Sequence, residues 1–133
     1  MTPLDLARAF IEKGAEDEVL LGKLVDDTEV SDDIFGLHVH QAAEKFIKSV
    51  LAVEEMRPTR THELAALFEE AEALGHDIPA ELLEVRTFTA YAVRNRYPFM
   101  DTAPAIDREG AVNLVRALHT WAEGIVAGAG SAK

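Results

Sequence analysis

Apolar residues in this chain return every three or four positions, segment after segment, and almost never alternate. Phe35, Val39, Ala42, Phe46, Val50 and Val53 form the cleanest stripe. That spacing lays one face of an α-helix against a core; a half-buried strand would place its apolar residues at every second position. The stripe predicts a helix over about 32–55, capped by Ser31 or Asp32, where acids also favour the positive end of the helix dipole. Upstream, Ala7, Phe10, Gly14, Leu21, Leu24 and Val25 predict a first helix over about 3–27, opened by Thr2 as cap and Pro3 at the first helical position. Gly14 weakens the middle of that helix by up to about 1 kcal/mol relative to alanine, so a bend is expected there.

The punctuation between stripes is that of helices. "DDTEVSDD" is a polar break, and "RPTRT" interrupts the second helix because Pro58 lacks an amide hydrogen and restricts Arg57. Thr61 or His62 opens a third helix carrying Leu64, Leu67, Phe68, Ala71 and Leu74, and Gly75 ends it. Pro79 begins a fourth, apolar around much of its circumference (Leu82, Leu83, Val85, Phe88, Ala90, Tyr91, Val93), which is expected to be the most enclosed and to stop near Arg96 before Pro98. "YPFMDTAPAI" reads as a loop. Asp107 caps a fifth helix bearing Ala111, Leu114, Val115, Leu118, Trp121, Ala122 and Ile125. Phe46, Leu67, Phe88, Leu118 and Trp121 are expected in the core. The fold expected is all-α, an up-and-down antiparallel bundle of about five helices. It forms a single domain over 1–127, with "AGAGSAK", 128–133, as a flexible tail.

The 133 residues suffice for such a core. With no cysteine, disulfides and thiolate metal sites are excluded. No signal peptide and no apolar run of about 20 residues is visible, so a cytoplasmic protein without membrane association is expected. The formal net charge of −11 argues against DNA and RNA as general partners. The charge is uneven: residues 1–33 carry ten acids and three bases, whereas Val85 to Met100 contains no acid and includes Arg86, Arg94 and Arg96.

Few residues invite chemistry. His40 and Glu44 lie four apart on one helix face, but two ligands do not make a metal site, and a solvated hydrogen-bonded pair is the plainer reading. His38 is expected to be packed. Glu16–Glu18 and Asp26–Asp27 read as solvated faces, because sequence neighbours point to different sides of a helix. No phosphate-binding glycine loop and no nucleophile elbow occurs. No cofactor or metal is implied. The segment "RTFTAYAVRNRYPF" stands apart. Arginine's planar fork suits carboxylates on neighbouring helices, which the residues alone favour, and it suits phosphate equally well. Arg94 and Arg96 are roughly 200° apart around an ideal helix, so at most one should face a given site. Arg94 is the choice for a functional pocket and Arg96 for an ion pair.

Three segments carry a resemblance. "LHVHQAAEKFIKSVL", with Gln41, Ala42, Ala43, Glu44 and Lys45, resembles the second helix of the HEPN family, the higher eukaryote and prokaryote nucleotide-binding domains. "RTHELAALFEEAEALG" resembles its next helix, and "RNRYP" the arginine-rich end of its fourth. The resemblance runs from about residue 5 to about 125. It implies a bundle of four main helices with a shorter extra one, usually a homodimer. Many members are encoded beside a minimal nucleotidyltransferase, and many others are metal-independent RNase toxins. The toxins carry Arg, a polar residue often Asn, and a His four to six residues further on.

Arg94-Asn95 matches the start of that motif, but the histidine position falls on Phe99, Met100 or Asp101. Counted from Arg96 it falls on Asp101, Thr102 or Ala103, and the next histidine is His119. Acid–base help from such a histidine is worth about 10²–10⁴-fold in rate, and Phe99 cannot supply it. His62 could substitute only if the fold brought it close. The expectation is therefore a non-catalytic HEPN-type module, acting as a dimer on a nucleotide or with a nucleotidyltransferase partner. Arg94, Asn95, Arg96, Tyr97 and His62 are the candidate ligand-binding residues. An RNase toxin of a toxin–antitoxin pair and a structural dimer without ligand are the alternatives.

Overall fold

The computed structural model describes residues 1–54, 60–97 and 105–131. Among these residues five α-helices follow one another: α1 Pro3–Leu24, α2 Asp32–Val53, α3 Leu64–Ala73, α4 Thr89–Arg96 and α5 Arg108–Ser131, with a 3₁₀ helix, Ala80–Phe88, before α4. Among the described residues there is no strand. The fold is all-α. Contacts between α1 and α2 run in opposite senses, Gly14 on Phe46 and Asp17 on Lys45, and so do those between α1 and α5, Glu18 on His119 and Leu4 near Gly130.

The caps follow from the residues. Thr2 and Asp5 exchange hydrogen bonds in a capping box with Pro3 at the first position of α1. Ser31, not Asp32, caps α2 through Ile34 N, and Asp107 caps α5 through Gly110 N at 3.1 Å. α3 starts later than the sequence suggests. Its cap position is Glu63, with no side-chain cap, and Thr89 of α4 instead accepts from Leu64 N at 3.1 Å. Gly75, at φ +96°, ends α3 as expected. His76 N donates to Ala71 O and Gly75 N to Glu72 O, which satisfies two terminal carbonyls.

The fourth helix departs from expectation in two ways. It is split into a 3₁₀ and an α segment, and α2, not it, is the most enclosed element. Leu82, Val85, Phe88 and Tyr91 are spaced by three, a spacing that drifts around an α-helix but stays in line on a 3₁₀ helix. Thr87 Oγ1 and Arg86 Nε also bond to the carbonyls three residues back. α2 touches every other helix and buries Phe35, Val39, Phe46, Ile47, Val50 and Leu51 completely. Only Tyr91 of α4 is buried. Phe46, Leu67 and Leu118 are buried as expected, whereas Phe88 and Trp121 are only partly covered. Trp121 lies at the rim, where its Nε1 donates to Asp77 O.

The expected tail from 128 is also helical, to Ser131. The end of α5 runs beside the start of α1: a Cβ on Gly130 would lie 3.1 Å from Arg8 Nη2 and 3.5 Å from Leu4. Gly14, read as a weak point of α1, makes room for a neighbour: a Cβ there would lie 2.6 Å from the Phe46 ring. The breaks at Arg57-Pro58 and at Pro98 lie outside the described residues.

Candidate functional site

A groove of about 700 Å³ opens between α2, the residues entering α3, and α4. α2 contributes Leu37, His40, Gln41, Glu44 and Lys45; the approach to α3 contributes Thr61, His62 and Glu63; α4 contributes Thr89, Ala92, Val93, Asn95 and Arg96. The α2 set falls at helical spacing on one side of the helix, beside the buried stripe. The fold therefore gathers "HQAAEK", "RTHE" and "RNR", the segments singled out in the sequence, around one opening.

Arg94 and Arg96 do point different ways, but the assignment between them is reversed. Arg94 Nε donates to Asp33 Oδ1 at 2.9 Å with its side chain largely buried. Arg96 lines the groove and has no hydrogen bond or ion pair with any described residue. The reason is helical phase. Arg94 and Asn95 lie three and four residues after Tyr91, the buried residue of α4, so they share its inward side. The acids at the start of α2 wait there. The Asn95 amide donates to Asp33 O at 2.9 Å and to Tyr91 O at 2.7 Å, tying the end of α4 to α2. Tyr97 does not line the groove, nor does Arg86.

His62, the remaining candidate, is in the groove and exposed, with Nδ1 at 3.0 Å from Glu44 Oε1. Glu44 also accepts from Lys48 at 2.8 Å. Burial pushes the Glu44 carboxyl up, but the hydrogen bonds and charges of Lys48 and His62 outweigh it and hold the group below the ordinary glutamate range. Because its folded value is depressed, Glu44 contributes stability that is complete above about pH 4.5 and is lost as pH falls through the folded value. Glu44→Gln is expected to flatten the acid limb of a stability–pH curve from urea unfolding; an unchanged limb would show that the pairing is not formed in solution.

His40 is 2% exposed, and its Nε2 lies 2.6 Å from His62 O. A carbonyl only accepts, so Nε2 carries the proton, and Nδ1 is left buried without a partner among the described residues. His40 thus holds the backbone of His62 against α2. Among the described residues no group of three or more His, Asp or Glu is arranged to hold a metal ion.

Lys45, not among the candidate ligand-binding residues, also lines the groove, and its Nζ lies 2.5 Å from Asp17 Oδ2. Asp17, expected on a solvated face, is buried between Lys45 and His38, with His38 Nδ1 at 3.3 Å. Glu18 likewise meets His119 at 2.7 Å. The i, i+4 spacing of Gln41 and Lys45, and of His40 and Glu44, was the available signal for a polar groove wall. What covers it depends on α3 and α4, and spacing within α2 is silent about that. The positions of the missing RNase histidine, Phe99 to Ala103, lie outside the described residues.

The fold and groove define an all-α helical domain with a polar cleft at one side of its central helix. The HEPN domain family matches residues 29–125, and the chain belongs to that family. Neither the curated proteins nor the solved structures gave a match. No helix among the described residues is long and apolar enough to cross a membrane.

Proposed function

We propose that the protein is a non-catalytic HEPN binding module that acts as a homodimer and takes a nucleotide in the groove between α2 and α4, alone or with a minimal nucleotidyltransferase as partner. The observation that carries the nucleotide part is the convergence of Arg96, Asn95 and His62 on one opening, with Arg96 unpartnered among the described residues. Its volume of about 700 Å³ is within the usual range for small-ligand sites, roughly 300–1,000 Å³. An arginine fork suits phosphate oxygens. Apolar Leu37, Ala92 and Val93 beside it suit the face of a base.

A thermal-shift panel of nucleotides tests the reading. A bound nucleotide at 100 times its Kd stabilises by about 2.7 kcal/mol, and Arg96→Ala is expected to remove most of that shift, whereas Arg86→Ala leaves it intact. A panel with no shift for any nucleotide would reject it. The dimer rests on family membership and on the outward Tyr97, 48% exposed. Light scattering at tens of micromolar is expected to give twice the 14.6 kDa chain mass; a strictly monomeric mass would reject it.

One observation favours the runner-up, a metal-independent RNase. His62 lies in the same groove as Asn95 and Arg96, and its Nδ1 is anchored by Glu44, as a general base is commonly oriented. RNA cleavage abolished by both His62→Ala and Arg96→Ala would establish that reading over the first. Intact RNA after prolonged incubation with the purified protein would exclude it.

A further inference from the structure

Resting on the nucleotide reading above, we infer that the groove selects a terminal phosphate monoester, as in a nucleoside monophosphate, over a polyphosphate or a phosphodiester. The inference comes from the commitments of the charged residues around it. Lys45 is engaged by Asp17 at 2.5 Å. Glu44 is shared by Lys48 at 2.8 Å and His62 at 3.0 Å. Among the described residues lining the groove, Arg96 is then the cation left without a partner, and Glu63, at the approach to α3, is an exposed carboxylate lining the same groove.

One arginine fork grips two oxygens of one phosphate. A triphosphate brings further negative charges that no uncommitted cation in the groove meets, into a chain of net charge −11. Screening at physiological salt removes interactions only beyond about 8 Å, so neighbouring phosphates in one groove still feel Glu63.

His62 separates monoester from diester. Glu44 accepts from Nδ1, which leaves Nε2 of this exposed ring for a ligand. A neutral ring oriented this way offers a lone pair at Nε2, and a charged ring offers N–H. A monoester ionises a second time near pH 6, so around neutrality it can present either P–OH or an extra anionic oxygen. It can complement His62 in either state. A diester has no ionisable proton and only accepts.

Ala92 and Arg96 are one helical turn apart, about 6 Å along α4, and Val93 is 42% exposed beside them. A base packed on Ala92, Val93 and Leu37 therefore sets its phosphate one sugar's length away, at Arg96. Asn95 has its amide hydrogens engaged by Tyr91 O and Asp33 O, so toward a ligand it can only accept, as from a ribose hydroxyl.

Calorimetric titration of the full chain with AMP, ATP, 3′,5′-cyclic AMP and adenosine tests this. AMP is expected to bind about tenfold or more tighter than each of the other three, a difference in line with one additional charge-assisted contact. Arg96→Gln is expected to reduce AMP to the level of adenosine, and His62→Phe to reduce it to the level of cyclic AMP while leaving cyclic AMP unchanged. Both side chains are exposed, and circular dichroism of each variant verifies the fold. ATP or cyclic AMP binding as tightly as AMP would overturn the monoester selection while sustaining the nucleotide reading. AMP tighter than the rest but insensitive to both substitutions would overturn the assignment to this groove. No binding by any of the four would overturn the nucleotide reading itself.

Discussion

Arg108→Ala is expected to destabilise the protein by about 3 kcal/mol, because four charge-assisted hydrogen bonds and a ring contact end together. The guanidinium reaches back from the first residue of α5 to the connection between α1 and α2. Nε donates to Asp32 Oδ1 at 3.0 Å, Nη1 to Leu24 O and Asp27 O at 2.9 Å each, and Nη2 to Val30 O at 2.5 Å. The fork also lies 4.9 Å above the Phe35 ring. Bonds to charged groups contribute roughly 1.5–3 kcal/mol each, but the orphaned carbonyls are near enough to the surface to rehydrate in part, so the total falls well short of the sum. Asp32 keeps its bond from Ile106 N at 3.0 Å, the main cause holding its carboxyl below the ordinary range. At about 2.1 cal/mol/K of unfolding entropy per residue, 3 kcal/mol corresponds to a Tm lower by roughly 10 °C. Arg108→Lys keeps the charge without the fork and is expected to recover less than half of the loss. Wild-type stability in the lysine variant would show that charge alone, and not the branched geometry, closes this corner.

Nothing in the sequence marks Arg108 as such a clamp. Its four acceptors come from Leu24 to Asp32, all but one of them backbone carbonyls, and backbone acceptors have no residue type to read. Other parts were legible. The stripe Phe35 to Val53 located the central helix and Ser31 its start, and the Thr2-Pro3, Gly75 and Asp107 signals located its neighbours' ends, because caps and periodicity are local chemistry. The phase of α4 was half legible. The two-residue step from Arg94 to Arg96 puts them on opposite sides, but choosing the inward one required knowing that Tyr91 is buried. Eight apolar or small residues between 82 and 93 hid that. The same excess disguised the 3₁₀ segment, since Leu82, Val85, Phe88 and Tyr91 satisfy an α-helical reading if their neighbours are counted too. Asp17 was misread for a related reason: a lone acid in an acidic run shows no sign of burial until Lys45 and His38 arrive from another helix.

Gly36→Ala is expected to disable the groove at a distance, and it separates positioning from mere stability. Gly36 lies near the start of α2, under the Tyr91 ring. A Cβ there would fall 2.4–2.8 Å from three of the ring carbons, so the ring must move. Overpacking of this kind costs about 1–3 kcal/mol, offset by up to about 1 kcal/mol from alanine's better helix propensity. A net loss of about 1–2 kcal/mol in urea unfolding is expected. Tyr91 also carries the carbonyl that holds the Asn95 amide at 2.7 Å, and Arg96 follows on the same turn. Displacing the ring therefore displaces the wall of the groove that would grip phosphate. The nucleotide-induced thermal shift is expected to fall at least as far as in Arg96→Ala. Gly14→Ala is the matched control, since its Cβ meets the Phe46 ring at 2.6 Å on the α1 side of α2, away from the groove. It is expected to destabilise comparably and leave the ligand shift intact. Replacing Tyr91 by leucine in the Gly36→Ala background removes the ring that must move and is expected to restore part of both losses. If Gly14→Ala abolishes the ligand shift as thoroughly as Gly36→Ala, binding simply follows global stability, and the packing of Tyr91 on Gly36 does not set the position of Arg96.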